Sequence, residues 1–261
     1  MTSGSLLTGT QVRALLGVVL AAVLGLVAWR LPAALGESGL IYPPVPKDAQ
    51  STRLLPPVEV VSSGPHVFRD TLPGGLPVTY DPCRPVHVVV NPASMPPAGV
   101  SLVQEAVQRL SQATGLVFVD DGLTDEPLDA HRPPVVADRY GNRWAPVLIG
   151  WSDAAGYPEL AGDVAGVGGS TMVTPRGPAS ARLVSGLVAL DSEVFDRLAE
   201  RGAIEQQRAI VLHELAHVVG LGHVDSPSEL MFPSTSKQAK FGPGDLEGLA
   251  MLGQGVCHTD M

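Results

Sequence analysis

The chain has 261 residues, enough for one sizeable domain with extensions, and 45% of them are apolar, which excludes a chain disordered by composition. Its 17 basic residues against 26 acidic ones give a net charge of −9. No basic excess is available to displace counterions from phosphates, so nucleic acid is excluded as a partner.

The first predicted element is apolar. Ala14 to Trp29 carries no charge between Arg13 and Arg30, and no acid occurs before Glu37. At 16 residues the stretch is short for a spanning helix and long for a signal-peptide core. Trp29 at headgroup level and a snorkelling Arg30 favour a retained anchor. That predicts a single-pass protein of the cell membrane, touching lipid through residues 14–29, with its domain outside. Ala34-Leu35-Gly36 offers the small residues of a signal-cleavage site, which predicts secretion instead; a buried helix is the third reading. Residues 1–36 are therefore read as anchor or signal, 37–82 as a linker crowded with prolines, and 83–261 as the domain. Val58 to Val61 is a candidate short strand inside the linker.

From Cys83 onward the pattern alternates. Val86-His87-Val88-Val89-Val90 is a β-branched run closed by Asn91-Pro92, a buried strand. Ser101 opens an amphipathic helix through Leu102, Val103, Ala106, Val107 and Leu110, ending near Thr114-Gly115. Leu116 to Val119 is a second strand, and an acidic, Pro-rich loop follows through Pro134. Val147 to Trp151 is a third strand, Gly162 to Pro175 holds an irregular edge strand, and Leu183 to Leu190 is a fifth. Ser192 caps a short helix through Glu200, Ile204 to Val219 forms a longer one, and Gly242-Pro243-Gly244-Asp245 leads into a last helix, Leu246 to Leu252. The sum is an α/β (α+β) domain: a mixed, twisted sheet of about five strands with two late helices.

The long helix carries the chemistry. His213 to His223 reads His-Glu-Leu-Ala-His-Val-Val-Gly-Leu-Gly-His. His213 and His217, four apart, share a helix face and can converge on one tetrahedral cation. Gly220 suits the left-handed turn that ends the helix and swings His223 back as a third ligand. Three protein ligands leave one corner for water, the mark of a catalytic zinc rather than a structural one. Glu214 lies beside the ligands, free to act as general base. Drawn from this chain's own composition, the full pattern arises by chance in roughly one of forty thousand sequences, so core histidines are a poor explanation of it.

This motif resembles the metzincin signature of zincin-like metallopeptidases. Glu229-Leu230-Met231-Phe232-Pro233 looks like the Met-turn of the matrixin branch, with Met231 as an apolar floor under the metal, and Asp245-Leu246-Glu247-Gly248-Leu249 looks like the matrixin closing helix. The resemblance implies a monomeric zinc endopeptidase in which His213, His217 and His223 hold one Zn2+ and Glu214 moves the protons. It also implies that an extended protein or peptide substrate pairs with the edge near Gly168 to Thr174. Val224 and Asp225 depart from the matrixin pattern, as does Phe232, and the Gly162 to Pro175 stretch lacks the histidines of a second zinc site. Calcium is a candidate at Asp120, Asp121, Asp153 or Asp163, against the plainer reading of a solvated acidic loop.

Cys83 and Cys257 are read as a disulfide in an exported chain and as free thiols in a reducing one. Asp81-Pro82-Cys83-Arg84-Pro85 also faintly resembles the matrixin latency motif, in which a thiolate plugs the open corner of the metal. The disulfide, clasping both ends of the domain, is the better supported. Two other functions compete with a peptidase: a catalytically silent zinc-binding surface module, and a zinc hydrolase acting on non-peptide amides.

Overall fold

Parallel strands covered on both faces read as continuous apolar runs, and three such runs form the centre of the sheet. They are β1 (Val86–Val90), β3 (Val147–Ser152) and β5 (Arg182–Asp191), with β2 (Phe118–Leu123) on one flank and β4 (Gly166–Val173) on the other. The order is β2-β1-β3-β5-β4; every pairing is parallel except that of β4 with β5. This computed structural model describes residues 42–233 and 238–260. The expected mixed sheet of five strands is thus present, with β4 as its antiparallel edge.

Helix α1 (Gly99–Thr114) joins β1 to β2 and buries Leu102, Val103, Ala106, Leu110 and Ala113, the i, i+3, i+4 stripe of its sequence. It stops at Gly115, a left-handed residue whose N–H bonds the Ser111 carbonyl. A one-turn helix, α2 (Ala137–Tyr140), interrupts the acidic loop. After β5 come α3 (Ser192–Glu200), α4 (Ile204–Val219) and α5 (Pro243–Leu252). The α3 cap is Asp191 rather than Ser192, because the Asp191 carboxylate accepts the Val194 N–H at 2.8 Å.

Helix α4 lies directly on β4, and glycine permits this. A β-carbon at Gly168 would overlap the Glu214 carbonyl, and one at Gly166 would sit 2.8 Å from Glu214 Cγ. Val211, Leu212, Leu215, Val218 and Val219 of α4 join Leu102, Leu110, Val188 and Leu190 in one core, together with Leu230, Met231 and Leu249.

Three expectations need correction. First, the Pro-rich stretch from residue 43 to 82 is not a spacer: Pro43–Met261 forms one compact unit. Gln50 N–H bonds the Cys83 carbonyl and Leu54 N–H that of Pro82, while Val78 and Tyr80 are buried in the core. Val58 to Val61 forms no strand. Second, the single-pass membrane protein with an external domain does not stand. Among the described residues no helix is long and apolar enough to cross a membrane, and the segment 14–29 lies outside them. Third, Asp120, Asp121, Asp153 and Asp163 do not gather into a calcium cage. Asp121 pairs with His87 and Arg143, and Asp120 and Asp153 accept backbone N–H groups of their own turns. Among the described residues, the metal-capable trios are the three histidines and Asp81 with the two cysteines.

Cys83 and Cys257 are joined in a disulfide, with Cα atoms 5.3 Å apart and 174 positions separating them in sequence. With its sulfur held there, Cys83 cannot serve as a latency thiolate.

The acidic loop is pinned by a buried ion pair. Arg132 donates to both Glu126 oxygens and also to Ser185 Oγ and the Gly186 carbonyl, with both charged side chains under a tenth exposed. Burial pushes the Glu126 carboxyl up, but the bonds from Arg132 and Tyr140 outweigh it and hold it below its ordinary range. Arg132→Met is expected to cost about 3–5 kcal/mol in urea unfolding, since it strands a buried carboxylate. Because the Glu126 value is depressed in the fold, its contribution is full above the ordinary glutamate range near pH 4.3 and is lost as pH falls through the native value. The stability gap between wild type and Glu126→Gln should therefore close on acidification below about pH 4.

Candidate metal centre

The three histidines converge. His213 and His217 project from α4, which ends when Gly220 takes φ 116° and donates its N–H to the His217 carbonyl. The turn through Leu221 and Gly222 returns His223, whose Nε2 lies 3.1 Å from Nε2 of both His213 and His217.

Second bonds fix which ring nitrogen is free. His213 Nδ1 donates to the Leu230 carbonyl at 2.8 Å, and His217 Nδ1 donates to the Leu221 carbonyl at 2.7 Å. A carbonyl can only accept, so Nδ1 carries the proton in both rings and each Nε2 presents a bare lone pair. Burial reinforces the neutral state. It is the main cause lowering His213 to about 4 and His217 to about 3; the charge of His213 adds to the second shift. His223 is lowered too, by burial and then by the charge of Arg69.

A proton on His223 Nε2 can satisfy only one of those two lone pairs, whereas a cation among the three nitrogens satisfies both. Ligand nitrogens about 2.0–2.1 Å from a tetrahedral zinc lie roughly 3.3–3.4 Å from one another, close to the spacing found here. The donor set is all imidazole nitrogen, which suits zinc and does not suit calcium. The residues present therefore fit a zinc ion with one open corner.

Glu214 is 7% exposed and faces β4, with its Cγ and Cδ packed against Gly166. Burial raises it to about 8, against the opposing charge of Arg69 and the nearby Gly168 backbone. A carboxyl titrating near neutrality beside a metal site suits proton transfer.

Met231 is 1% exposed and shares the core with Leu212 and Leu215 of α4. Its turn is held by carboxylates whose part in the centre sequence reading did not assign. Asp245 accepts from Leu230 N–H at 2.6 Å, from Met231 N–H at 3.4 Å and from Gly242 N–H at 2.9 Å. Glu229 in turn accepts the N–H groups of Gly244 and Asp245 at the start of α5. Asp245 thus grips the nitrogen of the residue whose carbonyl orients His213. The available signal was its place three residues after Gly242, where an acid reaches back to a helix start. Arg69 was also missed. It reaches the centre from the supposed linker, donating to the Gly168 carbonyl at 2.7 Å.

The sequence matches no family model and no curated protein. Among solved structures the chain is similar to archaemetzincin from Methanopyrus kandleri, at 18% identity and a TM-score of 0.39, over 64% of this chain and 93% of that one. It is also similar to a zinc-dependent peptidase from Methanocorpusculum labreanum, at 18% identity and a TM-score of 0.35, over 63% of this chain and 98% of that one.

Asp245→Asn should leave α4 intact yet loosen the Leu230 peptide. The expected result is a loss of about 1–3 kcal/mol in stability, together with weaker zinc retention in a chelator competition. His217→Ala should abolish stoichiometric zinc binding by elemental analysis while far-UV circular dichroism stays unchanged.

Proposed function

We propose that this protein is a zinc-dependent endopeptidase of the metzincin type, with His213, His217 and His223 holding the metal and Glu214 as general base and acid. The observation that carries the reading is the pair of 3.1 Å Nε2 contacts, with the Nδ1 protons of His213 and His217 turned away onto backbone carbonyls. Such a site is built to take a cation and to leave it one free position.

Zinc, when bound, supplies a Lewis acid that acidifies water and polarises the scissile carbonyl. The rest falls to the chain. Glu214 takes a proton from the attacking water as its oxygen joins the acyl carbon; the C–N bond then breaks and Glu214 returns the proton to the leaving amine. Burial alone would keep Glu214 protonated at neutral pH, but a cation on the neighbouring imidazoles draws it back toward the carboxylate. The free edge of β4 supports an extended substrate, added as a further strand with main-chain hydrogen bonds setting register. The matrixin-like branch rests on the Met231 turn and the α5 sequence.

Glu214→Gln is expected to keep one zinc per chain and lose at least about a hundredfold in peptide cleavage, measured on a peptide library by mass spectrometry. A chelator should abolish wild-type cleavage and added zinc restore it. Zinc-loaded wild type that leaves every peptide intact would instead mark a binding module.

A further inference from the structure

Arg69 is an isolated cation at the rim of the centre. Arg84, Arg132, Arg143, Arg182 and Arg208 each sit against a carboxylate. Arg69 does not: among the described residues its guanidinium makes one hydrogen bond, to the neutral Gly168 carbonyl, although the chain is acidic overall. An arginine has five N–H donors, so four remain unspent. The side chain is exposed, and its planar group lies over Gly169, whose hypothetical β-carbon would be 3.5 Å from Nη1 and 3.7 Å from Cζ.

Its backbone is fixed. Arg69 N–H bonds the Gly220 carbonyl at 2.9 Å, Gly222 N–H bonds the Val67 carbonyl at 2.7 Å, and Phe68 pairs with Leu221 while packing on the core. These partners are the residues between the second and third histidine. The cation is therefore held in place by the same turn that delivers His223. It also lies close to Glu214: Gly168, whose carbonyl accepts from Arg69, packs so tightly on the Glu214 backbone that a β-carbon there would lie 2.2 Å from the Glu214 carbonyl oxygen.

We propose that Arg69 is a specificity-determining residue that binds a substrate carboxylate next to the scissile bond. This inference rests on the peptidase reading. A carboxylate matches the planar donor fork of arginine in bidentate fashion and forms charge-assisted bonds that the neutral Gly168 carbonyl does not. Release of that carbonyl also returns an acceptor to the free edge of β4, where the substrate main chain would pair. The carboxylate comes from one of two sources, the peptide C-terminus or an Asp or Glu side chain.

The test uses the full chain, zinc-loaded and carrying Glu214→Gln so that peptides are bound without turnover. Four probes are titrated by calorimetry: acetyl-Gly-Leu-Ala-Ala as free acid and as amide, and acetyl-Gly-Leu-Glu-Ala-amide against its Gln twin. One acidic probe should bind at least about tenfold tighter than its uncharged twin, equivalent to about 1.4 kcal/mol. The free acid winning identifies a terminal carboxylate; the Glu peptide winning identifies a side chain. Adding Arg69→Met should erase the difference, and Arg69→Lys should keep part of it, with zinc content and circular dichroism reporting intact folding in both. Twins that bind alike, or a preference that survives Arg69→Met, overturn the proposal. If wild type cleaves peptides without regard to charge, this inference fails and the peptidase reading stands. If Arg69-dependent discrimination is present and wild type cleaves nothing, the peptidase reading fails, and the proposal is overturned with it as a statement about a scissile bond, leaving Arg69 only as a carboxylate-binding residue. Binding of none of the four overturns the proposal for Arg69 and leaves the peptidase reading to the library assay.

Discussion

A neutral imidazole has one ring proton, and its location decides what the other nitrogen can do. His213 and His217 each place that proton on a carbonyl, of Leu230 and Leu221 respectively. The centre depends on those two bonds. Without them the rings could rotate or exchange tautomers, and the bare nitrogens would no longer meet. The two carbonyls lie in different places: Leu221 follows the glycine that ends α4, while Leu230 belongs to the turn before α5. Orientation of the ligands therefore requires that α4, the turn after it and the start of α5 be assembled together.

Carboxylates and glycines accomplish the assembly. Asp245 ties Leu230 and Met231 to the first turn of α5, and Glu229 returns the favour by capping that turn. On the opposite side, glycines in β4 let α4 approach until the Glu214 backbone touches the strand at Gly168, which places the Glu214 side chain against Gly166. The buried polar groups here are satisfied by backbone, so the turn is rigid without excluding the metal ligands from solvent altogether. His223 stays exposed while His217 is buried.

The parts legible in the sequence were those whose partners lie nearby along the chain. The three histidines fall within a span of eleven residues, and helix periodicity alone brings two of them together. The central strands announced themselves as β-branched runs, and α1 by its apolar stripe and closing glycine. What escaped notice has distant partners. The Pro-rich segment makes scattered single bonds, such as Gln50 to Cys83 and Leu54 to Pro82, rather than a periodic ladder, so no repeating pattern betrays its packing. Arg69 reaches an acceptor 99 positions away, on a glycine, which leaves no trace in the residues around either partner. The β2 strand was placed two residues early because Leu116 is apolar and fully buried, yet it belongs to the turn from α1, where its carbonyl accepts from Ser111. The apolar run near the N-terminus suggested a membrane; hydropathy of a segment is a statement about that segment, and the described helices offer no span of that kind.

The wrapping of residues 64–82 has a bearing on where this domain begins. Counting from the first strand, one would start the domain at Val86 or near Cys83. A fragment cut there would forfeit Phe68 from beside the third ligand, Val78 and Tyr80 from the interior, and the Leu183 N–H bond to Thr79 that seats β5. The upstream chain is thus part of the packed unit that seats the three histidines rather than a tether to it, and a boundary drawn by strands and helices alone would cut through that unit.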